Sequence, residues 1–196
     1  MPIADCRLSM AKAPKGRPNL AQGNALGQAR NEIDVRALKG ARQLKAMPQS
    51  LTKLHIHLIF STKLREPLLL RPFRERVHAY LATVLNNLDS PAQKIGGMSD
   101  HVHILFRMSK NHALAKVVET VKTSSSKWIK TQDPALRAFH WQNGYGGFSV
   151  SPLQVEAAVQ YIDHQEEHHR AVSFQDEYRK FLQTYGVEYD ERYVWD

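Results

Sequence analysis

The segment Asp100-His101-Val102-His103-Ile104-Leu105-Phe106 sets two imidazoles two residues apart in a run of strand-forming residues. A strand repeats every two residues, so His101 and His103 share one face while Val102, Ile104 and Phe106 share the other. Two neutral imidazoles side by side on a strand offer two ligands to a divalent metal ion. Fifty-eight residues beyond His103 begins Tyr161-Ile162-Asp163-His164-Gln165, where a phenol and a carboxamide stand four apart, the spacing of one helix face. A ligand pair, a third ligand and a tyrosine are what metal-assisted attack of a phenol on a phosphodiester requires.

The surrounding pattern predicts the scaffold that positions them. Residues 54–62 alternate, with Leu54, Ile56, Leu58 and Phe60 on one face and His55, His57, Ile59 and Ser61 on the other. Apolar residues at Phe73, Val77, Tyr80, Leu81, Val84, Leu85 and Leu88 have the period of an amphipathic helix over 72–88. Residues 93–98 and 101–108 read as two strands joined at Ser99-Asp100, and 111–130 as a second helix. A glycine-rich stretch ends in a strand at 147–150, and its glycines, Gly144 to Gly147, offer freedom to the helix that follows. Ser151 and Pro152 open a third helix expected to run to His169, and Ser173 caps a fourth that ends before Gly186. The first six elements give the βαββαβ plan of an α+β, ferredoxin-like sandwich: one antiparallel sheet with helices on one face, followed by C-terminal helices that carry the tyrosine. In that plan the first and third strands are central neighbours. Parity then puts His55, His57, His101 and His103 together on the face away from the helices, expected to be open.

Composition limits the partners. The formal charge is +8, but residues 1–47 hold nine Lys or Arg against three acids, which leaves 18 basic and 16 acidic residues in the other 149. Overall basicity therefore says little about the folded part. The 1–47 segment has no sustained apolar period, so it reads as a basic, disordered extension with at most a short helix over 33–44, ahead of a single domain over 48–196. Met47-Pro48, just before the first strand, reads as a second translation start. No stretch approaches 18 apolar residues, and no secretory signal layout is present. The lone cysteine, Cys6, excludes an internal disulfide and fits a reducing cytoplasm.

Asp100-His101-Val102-His103-Ile104 followed by Tyr161-x-x-x-Gln165 resembles the single-tyrosine HUH transposases of bacterial insertion sequences, the TnpA-like proteins, and their relatives associated with repetitive extragenic palindromes. Lys53 to Lys63, Lys122 to Trp128 and Trp141-Gln142-x-Gly144-Tyr145-Gly146 support the likeness, which runs from about Met47 to the end. The resemblance implies that His101 and His103 bind Mg²⁺ or Mn²⁺ with Gln165 as third ligand, and that Tyr161 is the nucleophile. It further implies a homodimer with shared active sites, acting on single-stranded DNA with hairpin ends.

Bland readings stand beside these. Tyr161 lies next to Val155, Val159 and Ile162, so it could simply pack. His57 is expected to face DNA or support the ligands. Lys63, Arg65, Lys122, Ser124 and Lys127 are candidate DNA contacts, and the three serines among lysines also suit a solvated face. His164, His168 and His169 read as a solvated helix flank. Glu166-Glu167 is a weak candidate for metal or proton work. The aromatic C-terminus, Tyr185, Tyr189, Tyr193 and Trp195, reads as packing or dimer contact. A rolling-circle initiator or relaxase is the nearest rival enzyme, but relaxases usually place tyrosine ahead of the histidine pair. A non-catalytic nucleic-acid-binding module of the same fold would carry aromatics where the central strands here carry histidines.

Overall fold

The computed structural model describes residues 50–195. The expected extension over 1–47, its short helix and Cys6 lie outside the described residues. Four strands, β1 (Leu54–Ser61), β2 (Ala92–Gly97), β3 (His101–Met108) and β4 (Gly146–Val150), form one antiparallel sheet in the order β2-β3-β1-β4. Helices α1 (Phe73–Asn87) and α2 (Leu114–Lys130) complete the βαββαβ plan. Central β1 and β3 pair from Leu54 with Met108 to Ser61 with His101. The six elements of the expected plan are all present. The second helix starts three residues late because Ala113 is extended (φ −75°, ψ 143°).

One face of the sheet is the main core. Leu58 and Phe60 of β1 and Val102, Ile104 and Phe106 of β3 pack against Val77, Leu81 and Leu85 of α1 and Val117 and Val121 of α2, all buried. Each such side chain contributes roughly 1.5–3 kcal/mol by leaving water. Trp141 closes the far end, its indole N–H donating to Ser125 Oγ at 2.9 Å.

The other face is not open. Helices α3 (Val155–Asp163), α4 (Gln165–His168) and α5 (Phe174–Thr184) follow β4, and Phe174, Tyr178 and Leu182 of α5 cover Ile59 and Phe148 in a second buried cluster. His55, His57, His101 and His103 are each at most 4% exposed. The physical reason lies in α5: its apolar stripe needs a surface, and the sheet's second face supplies one. Ser173 caps α5 by accepting the Asp176 amide N–H. Gly186 (φ +63°) ends it, with Val187 N–H donating to Leu182 O and Gly186 N–H to Gln183 O. The single long helix expected from Pro152 to His169 is broken at His164 (φ −93°, ψ 20°), so α3 and α4 are separate turns.

Two glycines permit this close cover. A Cβ on Gly96 would lie 2.4 Å from Ile162 O of α3, and one on Gly146 would lie 2.7 Å from the Tyr178 ring of α5. Gly146 is thus a point of close approach within β4 rather than a hinge. The C-terminal aromatics pack as one of the two expectations had it: Tyr189 and Trp195 lean on the second cluster, and Tyr185 Oη donates to Ser149 O at 3.0 Å. Tyr193 remains 71% exposed. Among the described residues no helix is long and apolar enough to cross a membrane.

Candidate active site

β3 delivers His101 and His103 to the covered face, α3 delivers Tyr161, α4 opens with Gln165 and is followed directly by His169, and α5 delivers Glu177. One ligand atom from each of His101, His103, His169 and Glu177 lies within 4.8 Å of the others. The Glu177 carboxylate organises the group through two distinct oxygens. Oε2 lies 3.3 Å from both His103 Nε2 and His169 Nε2. Oε1 accepts hydrogen bonds from the Tyr161 hydroxyl and, at 3.1 Å, from Gln165 Nε2.

The imidazoles are held in orientation by their other nitrogens. His101 Nδ1 lies 2.7 Å from Asp100 Oδ1, His103 Nδ1 lies 3.0 Å from His57 Nε2, and His169 Nδ1 lies 2.9 Å from Val172 O. Donation from Nδ1 to Asp100 and to Val172 leaves the Nε2 lone pairs of His101 and His169 facing the cluster. Burial lowers the His101 pKa to about 4 against the opposing hydrogen bond to Asp100, and lowers that of His57 to about 3 with His103 adding to the effect. Both rings are therefore neutral near pH 7, the form in which imidazole ligates metal.

Five buried atoms in this cluster have no hydrogen-bond partner: Nε2 of His101, His103 and His169, Oε1 of Gln165 and Oε2 of Glu177. Leaving that many polar atoms unsatisfied costs roughly 1–3 kcal/mol each. The ligand atoms of His101, His103, His169 and Glu177 lie close enough together to share one divalent cation, so the residues fit a metal ion. Three imidazoles among the donors suit Mn²⁺ or a later transition ion better than Mg²⁺.

Electrostatics also mark the tyrosine. Burial, then the charge of Glu177 and its hydrogen bond, pushes the Tyr161 phenol well above its ordinary value. Burial alone would raise the Glu177 carboxyl, but the imidazoles of His103 and His169 beside it and the hydrogen bond from Tyr161 outweigh this and hold it well below the usual carboxylate range.

Ion pairs pin the turn between Tyr161 and His169. Lys94 of β2 pairs with Asp163, and Arg71 and Arg74 pair with Glu166, the Arg71 contact at 2.8 Å. Glu166, weighed as a metal or proton group, is instead a clamp for α4, and Glu167 takes no part in the cluster. His168 and His169 are not a solvated flank: their side chains are 19% and 6% exposed, because the break at His164 turns α4 inward. Tyr161 and Gln165 do share one face, meeting on the same Glu177 oxygen.

The candidate DNA contacts scatter. His57 is buried and supports His103 instead of facing solvent. Lys122 turns inward, its Nζ donating to the carbonyls of Gln142, Asn143 and Gly144, with burial lowering its pKa to about 8. Ser124 and Lys127 lie on α2, a helix of the opposite sheet face. Lys63 and Arg65 sit in a short 3-10 turn directly after β1, at the end of the sheet where Ser61 pairs with His101.

The family model described as "Transposase IS200 like" matches residues 50–165. The chain therefore belongs to the IS200-like transposases. The match ends at Gln165, so His169 and Glu177 lie beyond it. Similar solved structures include a candidate transposase from Deinococcus radiodurans R1, at 23% identity over 62% of this chain and 98% of that one, with a TM-score of 0.49. Another is a REP-associated tyrosine transposase bound to a REP hairpin, at 12% identity over 64% of this chain and 74% of that one, with a TM-score of 0.48. No curated protein matches the sequence.

Proposed function

We propose that this transposase cleaves and rejoins single-stranded DNA at the hairpin-bearing ends of a mobile element, with Tyr161 as nucleophile. The observation that carries the reading is the set of five unpartnered ligand atoms gathered beside a tyrosine whose hydroxyl shares Glu177 with them. Tyr161 Oη attacks the scissile phosphorus, an O–P bond forms, and the bond from phosphorus to the 3′ oxygen breaks. Because burial holds the phenol protonated, its proton must leave as the new bond forms. Glu177 Oε1 accepts that hydrogen bond and so orients the hydroxyl, while its depressed pKa makes it a positioning group; the proton passes to solvent and the departing 3′ oxygen takes one up. The products are a 5′-phosphotyrosine and a free 3′ hydroxyl, and the reverse attack reseals the strand without a nucleotide cofactor.

Mg²⁺ or Mn²⁺ held by His101, His103, His169, Glu177 and Gln165 would supply Lewis-acid stabilisation of the charge that builds on the phosphate oxygens. His57 and Asp100 fix the rings of His103 and His101, and the Lys94 and Arg74 clamps hold the turn that carries Gln165. A homodimer is part of the proposal, although one chain already brings Tyr161 beside its own His103, with ring centroids 6.1 Å apart.

Incubation with a 3′-labelled single-stranded hairpin oligonucleotide and Mn²⁺ should give a covalent protein–DNA adduct on a denaturing gel. Tyr161→Phe should abolish the adduct while melting temperature and DNA binding stay close to wild type, since only the hydroxyl is removed. An adduct that persists in the variant would assign the nucleophile elsewhere.

A further inference from the structure

A second site lies on the same sheet face as the metal cluster, displaced along the strands. A cavity of about 350 Å³ is lined by Lys53, His55, Gln93, Arg107, Pro152 and Val155, among others, and no carboxylate lines it. Among the described residues neither Lys53 nor Arg107 has an ion-pair partner. This contrasts with the cations of the cleft beside Gln165, where Arg71, Arg74 and Lys94 are matched by Glu166 and Asp163. His55 is 4% exposed; its Nδ1 meets Gln93 Oε1 at 2.7 Å, and its Nε2 is buried with no partner. Two unmatched cations and an orphaned imidazole nitrogen in one hollow are features that a bound anion bearing polar groups would satisfy.

The hollow also points at the active site. His55 pairs with Arg107 across β1 and β3, so both side chains lie on the face of His57 and His103. Arg107 is four residues from His103, roughly 13 Å along the strand. Val155 begins α3, six residues before Tyr161, roughly 9 Å along the helix. Three elements thus run from this hollow to the catalytic residues, and the start of α3 adds the positive end of a helix dipole.

We infer that this cavity is a nucleotide subsite that seats one residue of the DNA strand flanking the cleavage point. Lys53 and Arg107 hold its phosphate, Pro152 and Val155 pack against its sugar or base, and His55 Nε2 accepts from an N–H or O–H of the nucleotide. The inference rests on the nuclease reading for the identity of the anion, but it is tested by binding alone.

The test is fluorescence anisotropy of a labelled single-stranded oligonucleotide against the full chain across a salt series. Removing both cations from the one phosphate in Lys53→Gln/Arg107→Gln should reduce the slope of log K against log salt by about 0.7, the value for one phosphate on a single strand. Binding at low salt should weaken roughly tenfold. Val155→Glu, which sets a carboxylate in the hollow, should weaken binding in the same direction. Lys110→Gln/Arg137→Gln, two exposed cations elsewhere, is the control and should change the slope by less. A slope unchanged in the pocket variant, or lowered equally by the control, overturns the subsite. Absence of any covalent adduct with the wild-type chain is a different failure: it overturns the nuclease reading and leaves the binding result standing.

Discussion

The two faces of this sheet are built from the same two central strands and are packed to opposite ends. On the first face Leu58, Phe60, Val102, Ile104 and Phe106 meet two long helices in an apolar core where the Trp141 indole N–H finds its partner in Ser125 Oγ. On the second, at alternate positions of the same strands, His55, His57, His101 and His103 are as deeply buried, yet His55, His101 and His103 each keep a nitrogen without a partner. Burial is therefore not what separates the faces; satisfaction of polar groups is. One face stabilises the fold, and the other holds unsatisfied donors in a geometry that a cation and a DNA strand would complete.

The largest effect expected from breaking this division is on the first face. Phe60→Ala should cost about 3–5 kcal/mol in chemical denaturation, because the ring is fully buried, with Trp141 edge-on to it and the Lys122 ammonium over its face, and its removal leaves a cavity. Metal affinity of the folded fraction, read by calorimetry with Mn²⁺, should stay within a few-fold of wild type. A large loss of affinity would mean that the two faces are not separable.

On the second face the pattern should invert. Mn²⁺ at a hundredfold over its Kd should raise wild-type stability by about 2.7 kcal/mol, and Glu177→Gln should cut that gain below about 1 kcal/mol at the same metal concentration. Without metal, Glu177→Gln should be less stable than wild type, since the depressed carboxyl pKa marks a charge that its neighbours stabilise, so the metal gain is read against each protein's own metal-free value. Thermal melts with and without Mn²⁺ read both numbers. The buried histidines make poorer probes, because cutting them to Ala also opens cavities.

That Glu177 had to come from the structure shows where the sequence stops being legible. Strand alternation and helical period gave the βαββαβ order, the shared face of the four strand histidines and the shared face of Tyr161 and Gln165, because those are local repeats. Cover of the second face was not legible, since it depends on α5, which begins 66 residues after β3 ends, folding back on the sheet. His169 was hidden by the break at His164, which turns α4 inward where an unbroken helix would carry the ring elsewhere. Glu177 reads as an ordinary first-turn acid of α5 beside Asp176. One signal was available: Glu177 lies three residues after Phe174 and four before Phe181, within the apolar stripe. An acid at that position must be buried and must find partners.

A third measurement separates burial from ligation. His78 on α1 is another largely buried imidazole, outside the cluster, with its pKa lowered to about 4 by burial and by Arg74, Arg71 and Lys94. A histidine with a depressed folded pKa contributes stability that is complete above about pH 6.5 and is lost as pH falls toward 4. Between pH 7 and pH 5, His78→Gln should flatten the acid loss of stability by about 1–2 kcal/mol. Because His78 is not a ligand, the flattening should be the same with and without Mn²⁺. A metal-dependent difference would tie His78 to the site.

The smallest effect tests whether the lid and the site are one unit. Ser173 accepts the Asp176 amide N–H and so fixes the first turn of α5, the turn that carries Glu177. Ser173→Ala should cost about 1 kcal/mol in global stability, the ordinary cost of a lost cap. Fraying of that turn should also let Glu177 Oε2 drift from His103 and His169, so Mn²⁺ affinity should fall by a few-fold although no ligand has changed. Ser173→Asp, which keeps an acceptor at the cap and adds a charge favourable to the helix N-terminus, should restore both quantities. If stability falls and affinity does not, Glu177 is held by its contacts with Tyr161 and Gln165 alone, and α5 is cover for the site without being part of its geometry.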